Sequence, residues 1–105
     1  MPGRIKQLEQ FILEDPGDPF NFYALGLEYS KVDPTKSIAI FTRLLADHKN
    51  YIPTYYQLAK LYEGFGQKEN AIQIFKEGVK VAEAQRDLQT LRELRAGLEE
   101  LEADD

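Results

Sequence analysis

Few side chains in this sequence of 105 residues have the type and spacing needed for catalysis or metal binding. The single histidine, His48, lies between Asp47 and Lys49 in a polar stretch, whereas general acid–base catalysis needs a group held with its partners in a cleft. The carboxylates near residues 14–18 and 99–105 lack the alternating spacing and central glycine of a calcium loop. The Gly-Phe-Gly segment at 64–66 is not followed by the lysine of a phosphate-binding loop. The sequence therefore predicts no enzyme, no metal and no cofactor.

The composition excludes further classes of function. Because the chain has no cysteine, it has no disulfide framework, no catalytic thiolate and no Cys-ligated zinc. Its 13 Lys and Arg against 18 Asp and Glu give a net charge of −5, which disfavours nucleic acid and anionic membranes as partners. No apolar stretch approaches the roughly 20 residues of a transmembrane helix, and the first residues lack the apolar core of a secretory leader. We expect a cytoplasmic protein.

The elements that position these residues are predicted to be helices. Apolar residues recur at spacings of three and four along the chain, and no stretch shows the two-residue alternation of a strand. Breaks rich in Pro, Gly and Asp divide the pattern, and Asp18 followed by Pro19 is typical of a helix N-cap and first position. We expect a single all-α domain over residues 1–105 with about six helices and a frayed end at 102–105.

Two predicted helix pairs, at 19–50 and 52–84, resemble each other. Their related positions lie 33 or 34 residues apart: Leu25 and Leu58, Gly26 and Ala59, Tyr29 and Tyr62, Phe41 and Phe75. A period of this length indicates stacked units, none of which buries its apolar face alone.

These repeats resemble the tetratricopeptide repeat (TPR) family, whose unit is a helix–turn–helix of about 34 residues. The second pair matches at eight signature positions: Tyr55, Leu58, Ala59, Tyr62, Gly66, Ala71, Phe75 and Gly78. The first pair matches at six: Phe22, Leu25, Gly26, Tyr29, Ser37 and Phe41. Glu83 stands where the family has proline, so the last helix of the second pair is expected to run on by a turn.

The resemblance implies a TPR-like antiparallel helix-hairpin solenoid. Its parts would be an N-terminal half-repeat helix at 4–15, repeat 1 at 19–50, repeat 2 at 52–84 and a capping helix at 87–102. Small residues at Gly26 and Ala59 would let the helices of a unit approach closely. Tyr29 and Tyr62 are expected to be buried between helices, and Gly66 is expected to adopt the left-handed conformation.

The resemblance also implies which side chains face the concave groove of a TPR domain. Transferred by position, the groove residues expected to bind a partner are Phe20, Tyr23, Leu27, Lys31, Tyr56, Gln57, Lys60 and Glu63, with Ala24, Ser30, Pro53 and Gly64 on the same faces. Packing of Phe20 and Tyr23 against the N-terminal helix is the alternative. Tyr23 and Leu27 stand where the subclass that grips a C-terminal carboxylate has Lys and Asn, so we expect no carboxylate clamp.

The predicted function is that of a non-enzymatic interaction module that binds a peptide or protein segment on its concave face. The alternative is a self-associating structural protein that dimerises through the C-terminal helix or the open groove. That helix carries a leucine stripe, defined as Leu91, Leu94, Leu98 and Leu101, which is short for a coiled coil. Packing of the leucine stripe on the preceding helix is the favoured interpretation, so either a monomer or a homodimer is compatible with the sequence.

Overall fold

In the computed structural model, which describes residues 2–103, six α-helices follow one another and that range contains no strand. The helices are α1 (Pro2–Glu14), α2 (Pro19–Val32), α3 (Pro34–Asp47), α4 (Pro53–Gly64), α5 (Lys68–Gln85) and α6 (Leu88–Ala103). The all-α class and the six helices are confirmed. The expected fraying is not seen at residues 102 and 103, since α6 continues to Ala103, and Asp104 and Asp105 lie outside the described residues.

The starts of two helices follow directly from local sequence. The Asp18 carboxylate accepts a hydrogen bond of 3.0 Å from the Phe20 N–H, and Pro19 occupies the first position of α2, as predicted. At α6, the side-chain hydroxyl and the backbone N–H of Thr90 both donate to Asp87. These two hydrogen bonds hold the pKa of Asp87 below its usual value, because they stabilise the ionised carboxylate.

A residue in the left-handed conformation lies at each end of α5, and only one of the two is a glycine. Gly66, in the turn before α5, has φ +74°, which confirms the predicted left-handed conformation. At its other end α5 runs past Glu83 to Gln85, as the missing proline predicted. It ends at Arg86, which takes the left-handed conformation at φ 58° although it is not a glycine.

The helices group into two compact units, Met1–Tyr51 and Ile52–Asp105. In the first unit α1 packs on α2 and α2 packs on α3. In the second unit α4 packs on α5 and α5 packs on α6. Each unit is therefore a helix hairpin with one additional helix, and the single domain over residues 1–105 stays a prediction.

The first unit is built around a close approach between α2 and α3. A side chain added at Gly26 would place its Cβ 2.7 Å from Cζ of Phe41, a ring that is fully buried. The buried Ser37 hydroxyl donates a 2.6 Å hydrogen bond to the Gly26 carbonyl across the same interface. Leu8 of α1 completes the core against Ala24 and Leu25. Glycine at position 26 is thus required by packing, as the small-residue signature predicted.

We expect Gly26→Ala to destabilise the protein by about 1–3 kcal/mol, because the new methyl group would overpack the Phe41 ring. The result runs against helix propensity, which favours alanine over glycine by about 1 kcal/mol inside a helix. Gly64→Ala is the matched control, since nothing lies within 4 Å of the added methyl group, and this change should be neutral or stabilising. Urea unfolding of the three proteins measures both effects. Equal stabilisation by the two changes would contradict the close approach.

The second unit has its core at the fully buried Phe75 and uses the leucine stripe inside the unit. Leu91, Leu94 and Leu101 are buried and Leu98 is half-buried. Two glycines allow close packing here: a Cβ on Gly78 would lie 2.7 Å from the Tyr55 Cβ, and one on Gly97 would lie 2.6 Å from Cζ of Phe75. The structure therefore agrees with packing of the leucine stripe on α5.

Tyr29 and Tyr62 are half-buried, so the expectation that both are buried between helices is wrong. Each lies in the last turn of its helix, where the hairpin turn begins: the Asp33 N–H donates to the Tyr29 carbonyl, and the Gln67 N–H donates to the Tyr62 carbonyl. The ammonium group of Lys36 lies 4.7 Å from the centroid of the Tyr29 ring. The flexible, exposed side chain of Lys36 thus covers part of the Tyr29 ring, where the sequence predicted a packed helix.

Candidate interaction surfaces on α2 and α4

The α2 face, defined as Phe20, Tyr23, Leu27 and Lys31, is the first of two candidate surfaces. Phe20 is 53% exposed, Lys31 is exposed, and Tyr23 and Leu27 are half-buried. The spacing of three and four residues puts all four on one side of the helix. Ala24, which the family pattern placed among the groove positions, is buried with Leu25 in the core.

Tyr23 is held by other aromatic rings of the first unit. Its ring centroid lies 5.9 Å from that of Phe41 and 5.7 Å from that of Tyr51. Burial, together with Tyr23 and Asp18 nearby, raises the pKa of Tyr51 above its usual value. Tyr23 therefore contacts both Phe41 of α3 and Tyr51 in the segment that follows α3. Such an aromatic cluster restricts the orientations open to the Tyr23 ring.

The polar segment after α3 borders the start of α2. His48 is half-buried and caps α3 by donating its backbone N–H to the Leu44 carbonyl at 2.7 Å. An open cavity of about 410 Å³ is lined by Pro19 and by residues 47–51. Among the residues described, no group of three His, Asp or Glu side chains is arranged to hold a metal ion. His48 therefore has a structural position at the end of a helix.

The α4 face, defined as Tyr56, Gln57, Lys60 and Glu63, is the second candidate surface. Tyr56 is 37% exposed, and the remainder of its ring packs edge-on against Phe75 at a centroid distance of 6.2 Å. One turn further, the Lys60 ammonium group lies 2.9 Å from a carboxylate oxygen of Glu63. Gln57 and Glu63 are half-buried, and Pro53 and Gly64 are exposed. This face offers one anchored aromatic ring beside a charged pair.

The electrostatics of the α4 face extend to α6, which the sequence reasoning did not include in the groove. The pKa of Lys60 is raised chiefly by its hydrogen bond to Glu63, with burial opposing the shift and the charges of Glu63 and Glu100 adding to it. Glu100 belongs to α6, so a charge on that helix acts on Lys60 of the α4 face. The available signal was Gly97, an isolated glycine inside a helical pattern, which often marks a close approach.

The eight predicted binding residues thus lie on two faces, four on α2 and four on α4. The α2 face belongs to the first unit and the α4 face to the second. Their union into one continuous concave groove stays a prediction. Within residues 2–103, no helix combines the length and the apolar character needed to cross a membrane.

No protein-family model and no curated protein matches this chain, but several solved structures do. A tetratricopeptide repeat domain protein from Salinibacter ruber, solved by NMR, is 35% identical with a TM-score of 0.82, and the match covers 87% of this chain and 93% of that one. A protein from Bordetella parapertussis is 22% identical with a TM-score of 0.82, covering 96% and 89%. PcrH, in complex with the chaperone binding region of PopD, is 18% identical with a TM-score of 0.86, covering 95% and 77%. The matches confirm the predicted fold class.

Proposed function

Since the chain belongs to the tetratricopeptide repeat family, we propose that it is a non-enzymatic protein-interaction module. It binds a peptide or protein segment through the α2 face and the α4 face. The observation that carries this proposal is the exposed aromatic surface on both helices, above all Tyr56, whose ring is anchored on Phe75 and still more than a third exposed.

The character of these side chains supports the proposal. Tyrosine and phenylalanine offer large contact areas with few rotatable bonds, so little conformational entropy is lost when a partner covers them. Tyr56 and Tyr23 are additionally held by neighbouring rings, which lowers that cost further. Surface aromatics of this kind are more than solubility requires, which favours a binding role.

The structure of PcrH offers a parallel for the fold. That protein was crystallised with the chaperone binding region of PopD, and its fold matches almost the whole of this chain. At 18% identity the match shows a shared fold. The chemistry of the segment that this protein binds therefore depends on the side chains of its own surface.

We expect Tyr56→Ala to weaken binding of the physiological partner by about 2 kcal/mol or more, because central aromatic anchors often contribute that much. Folding should change by only about 1 kcal/mol, since the lost contact is one edge-on ring pair on a partly exposed residue. The measurement is a native pull-down with wild-type and variant proteins as bait, followed by identification of the captured chains and a thermal melt of each bait.

Phe65→Ala is the control for this experiment. Phe65 is 48% exposed and follows α4 in the turn, so the same loss of an aromatic ring occurs away from the α4 face. It should retain every partner. If Tyr56→Ala unfolds the protein, Tyr56 belongs to the core and the surface is wrongly assigned. If it folds and keeps every partner, the α4 face is not the working surface.

Self-association through the leucine stripe is the weaker alternative, because three of its four leucines are already buried inside the second unit. Pairing through an exposed helix face would still double the mass of 12.1 kDa in light scattering after size exclusion. We propose a cytoplasmic monomer that finds its partner through the two faces.

A further inference from the structure

In the second unit residues of both α4 and α6 contact the ring of Phe75. Tyr56 of α4 packs edge-on against that ring, and the backbone of α6 lies so close to it that only glycine fits at position 97. One turn further along each helix come Lys60 and Glu100. Their charges interact, because Glu100 contributes to the raised pKa of Lys60. The exposed surface around Tyr56 is therefore shared between α4 and α6.

The side of α6 that carries Gly97 is acidic and has no basic residue. Glu93, Gly97 and Glu100 are spaced i, i+4 and i+7, which places them on one side of the helix. Glu93 is exposed and makes no hydrogen bond or ion pair within the described part of the chain. Two ion pairs link α6 to α5 instead: Arg95 with Glu83 at 2.8 Å, and Lys76 with Glu102 at 4.0 Å. Glu93 and Glu100 thus differ from Glu83 and Glu102, which form the ion pairs between α5 and α6.

The net charge of the chain is concentrated in the same unit. Ile52–Asp105 contains seven Lys and Arg against 11 Asp and Glu, a net charge of −4, whereas Met1–Tyr51 has six against seven, a net charge of −1. A partner approaching the second unit therefore meets a negative field, which accelerates the association of positively charged segments.

Building on the proposed function, we propose that this α4–α6 face binds a partner segment that carries an arginine or lysine. The cationic side chain lies over the exposed part of the Tyr56 ring, between the carboxylates of Glu93 and Glu100. Three interactions combine there: the attraction of a cation to an aromatic face, charge-assisted hydrogen bonds to carboxylates, and the long-range field of the unit.

Lys60 argues for a basic rather than an acidic partner. It is the single cation of the α4 face, and its ammonium group is already bonded to Glu63 at 2.9 Å, with Glu100 close enough to stabilise it further. An acidic ligand would have to break this arrangement and would meet two or three carboxylates. A basic ligand finds a surplus of negative charge with the lysine already neutralised by its own neighbours.

The test is a selection of random 12-residue peptides displayed on phage against the intact wild-type protein. We expect enrichment of peptides that combine Arg or Lys with apolar residues. A fluorescent copy of the most enriched peptide is then titrated with wild type, Glu100→Lys, Glu99→Lys and Tyr56→Ala. Glu99→Lys is the matched control, because it makes the same charge reversal one residue away on an exposed site outside the Glu93–Gly97–Glu100 side.

Glu100→Lys should lower the affinity for the peptide roughly tenfold or more, because it places like charges in contact. Glu99→Lys should change that affinity about threefold or less. Thermal melts of both variants that match the wild-type melt establish that folding is unaffected. Enriched peptides without basic residues, or equal effects of the two charge reversals, would overturn the basic-partner proposal. If Tyr56→Ala still abolishes binding in that case, the proposed function stands. If no peptide is enriched, both proposals fail.

Discussion

Replacing Phe75 with alanine should lower the free energy of unfolding by about 3–5 kcal/mol, the usual cost of removing a fully buried aromatic ring. Phe75 is 0% exposed and is contacted from α4 by the ring of Tyr56 and from α6 by the backbone at Gly97. Its loss would leave a cavity between three helices that rigid helix backbones cannot fill. Urea unfolding followed by circular dichroism measures the change.

Phe65→Ala provides the comparison for this core substitution. The same ring is removed from a turn residue that is 48% exposed, so stability should change by about 0.5 kcal/mol or less. A similar loss in both variants would mean that Phe75 is not the centre of the second unit. The repeat alignment that assigned Phe41 and Phe75 to the same repeat position would then be wrong as well.

Leu94→Glu should destabilise the protein by about 4 kcal/mol or more, which is a large share of the stability of a domain of this size. Leu94 is fully buried in the second unit, and one of its methyl carbons would lie 3.1 Å from a Cβ on Gly78. The substitution removes apolar packing and also forces a carboxylate out of water, and the two costs add. A thermal melt and the mass in solution test the expectation.

Leu88→Glu is the control, because Leu88 is 63% exposed and begins α6, where a negative charge is favourable. It should fold as the parent does. The same pair of variants tests self-association through the leucine stripe. A wild-type dimer that Leu94→Glu converts into a well-folded monomer would contradict the buried position of the stripe and support the alternative function.

Much of the fold was predictable because its determinants are local. Asp18 followed by Pro19 specifies a helix start through a single hydrogen bond and one fixed dihedral angle. Gly66 marks a left-handed turn residue, and the small residue at position 26 marks a close helix contact. Such features depend on residues a few positions apart or on a repeated pattern, so the sequence displays them directly.

The errors arose where a distant element or a flexible side chain decides the outcome. Tyr29 and Tyr62 hold the same repeat position and were expected to be buried, yet both lie beside hairpin turns and stay half-exposed. Ala24 was placed among the groove positions by the family pattern, but α1 covers it as part of the core around Leu8. Position in a repeat does not report which neighbours happen to be present.

The amino-acid sequence by itself determined the helical class, the six helices, the repeat and the family, because periodicity, caps and turn residues act over one or two turns of chain. The tertiary structure decided what lies beside Tyr56. Gly97 and Glu100 are more than 40 residues from it in sequence, and the packing of α6 on Phe75 brings them to the same surface. The charge of a surface depends on which helices meet in space. The sequence pattern of one helix does not show which residues of a distant helix lie beside it.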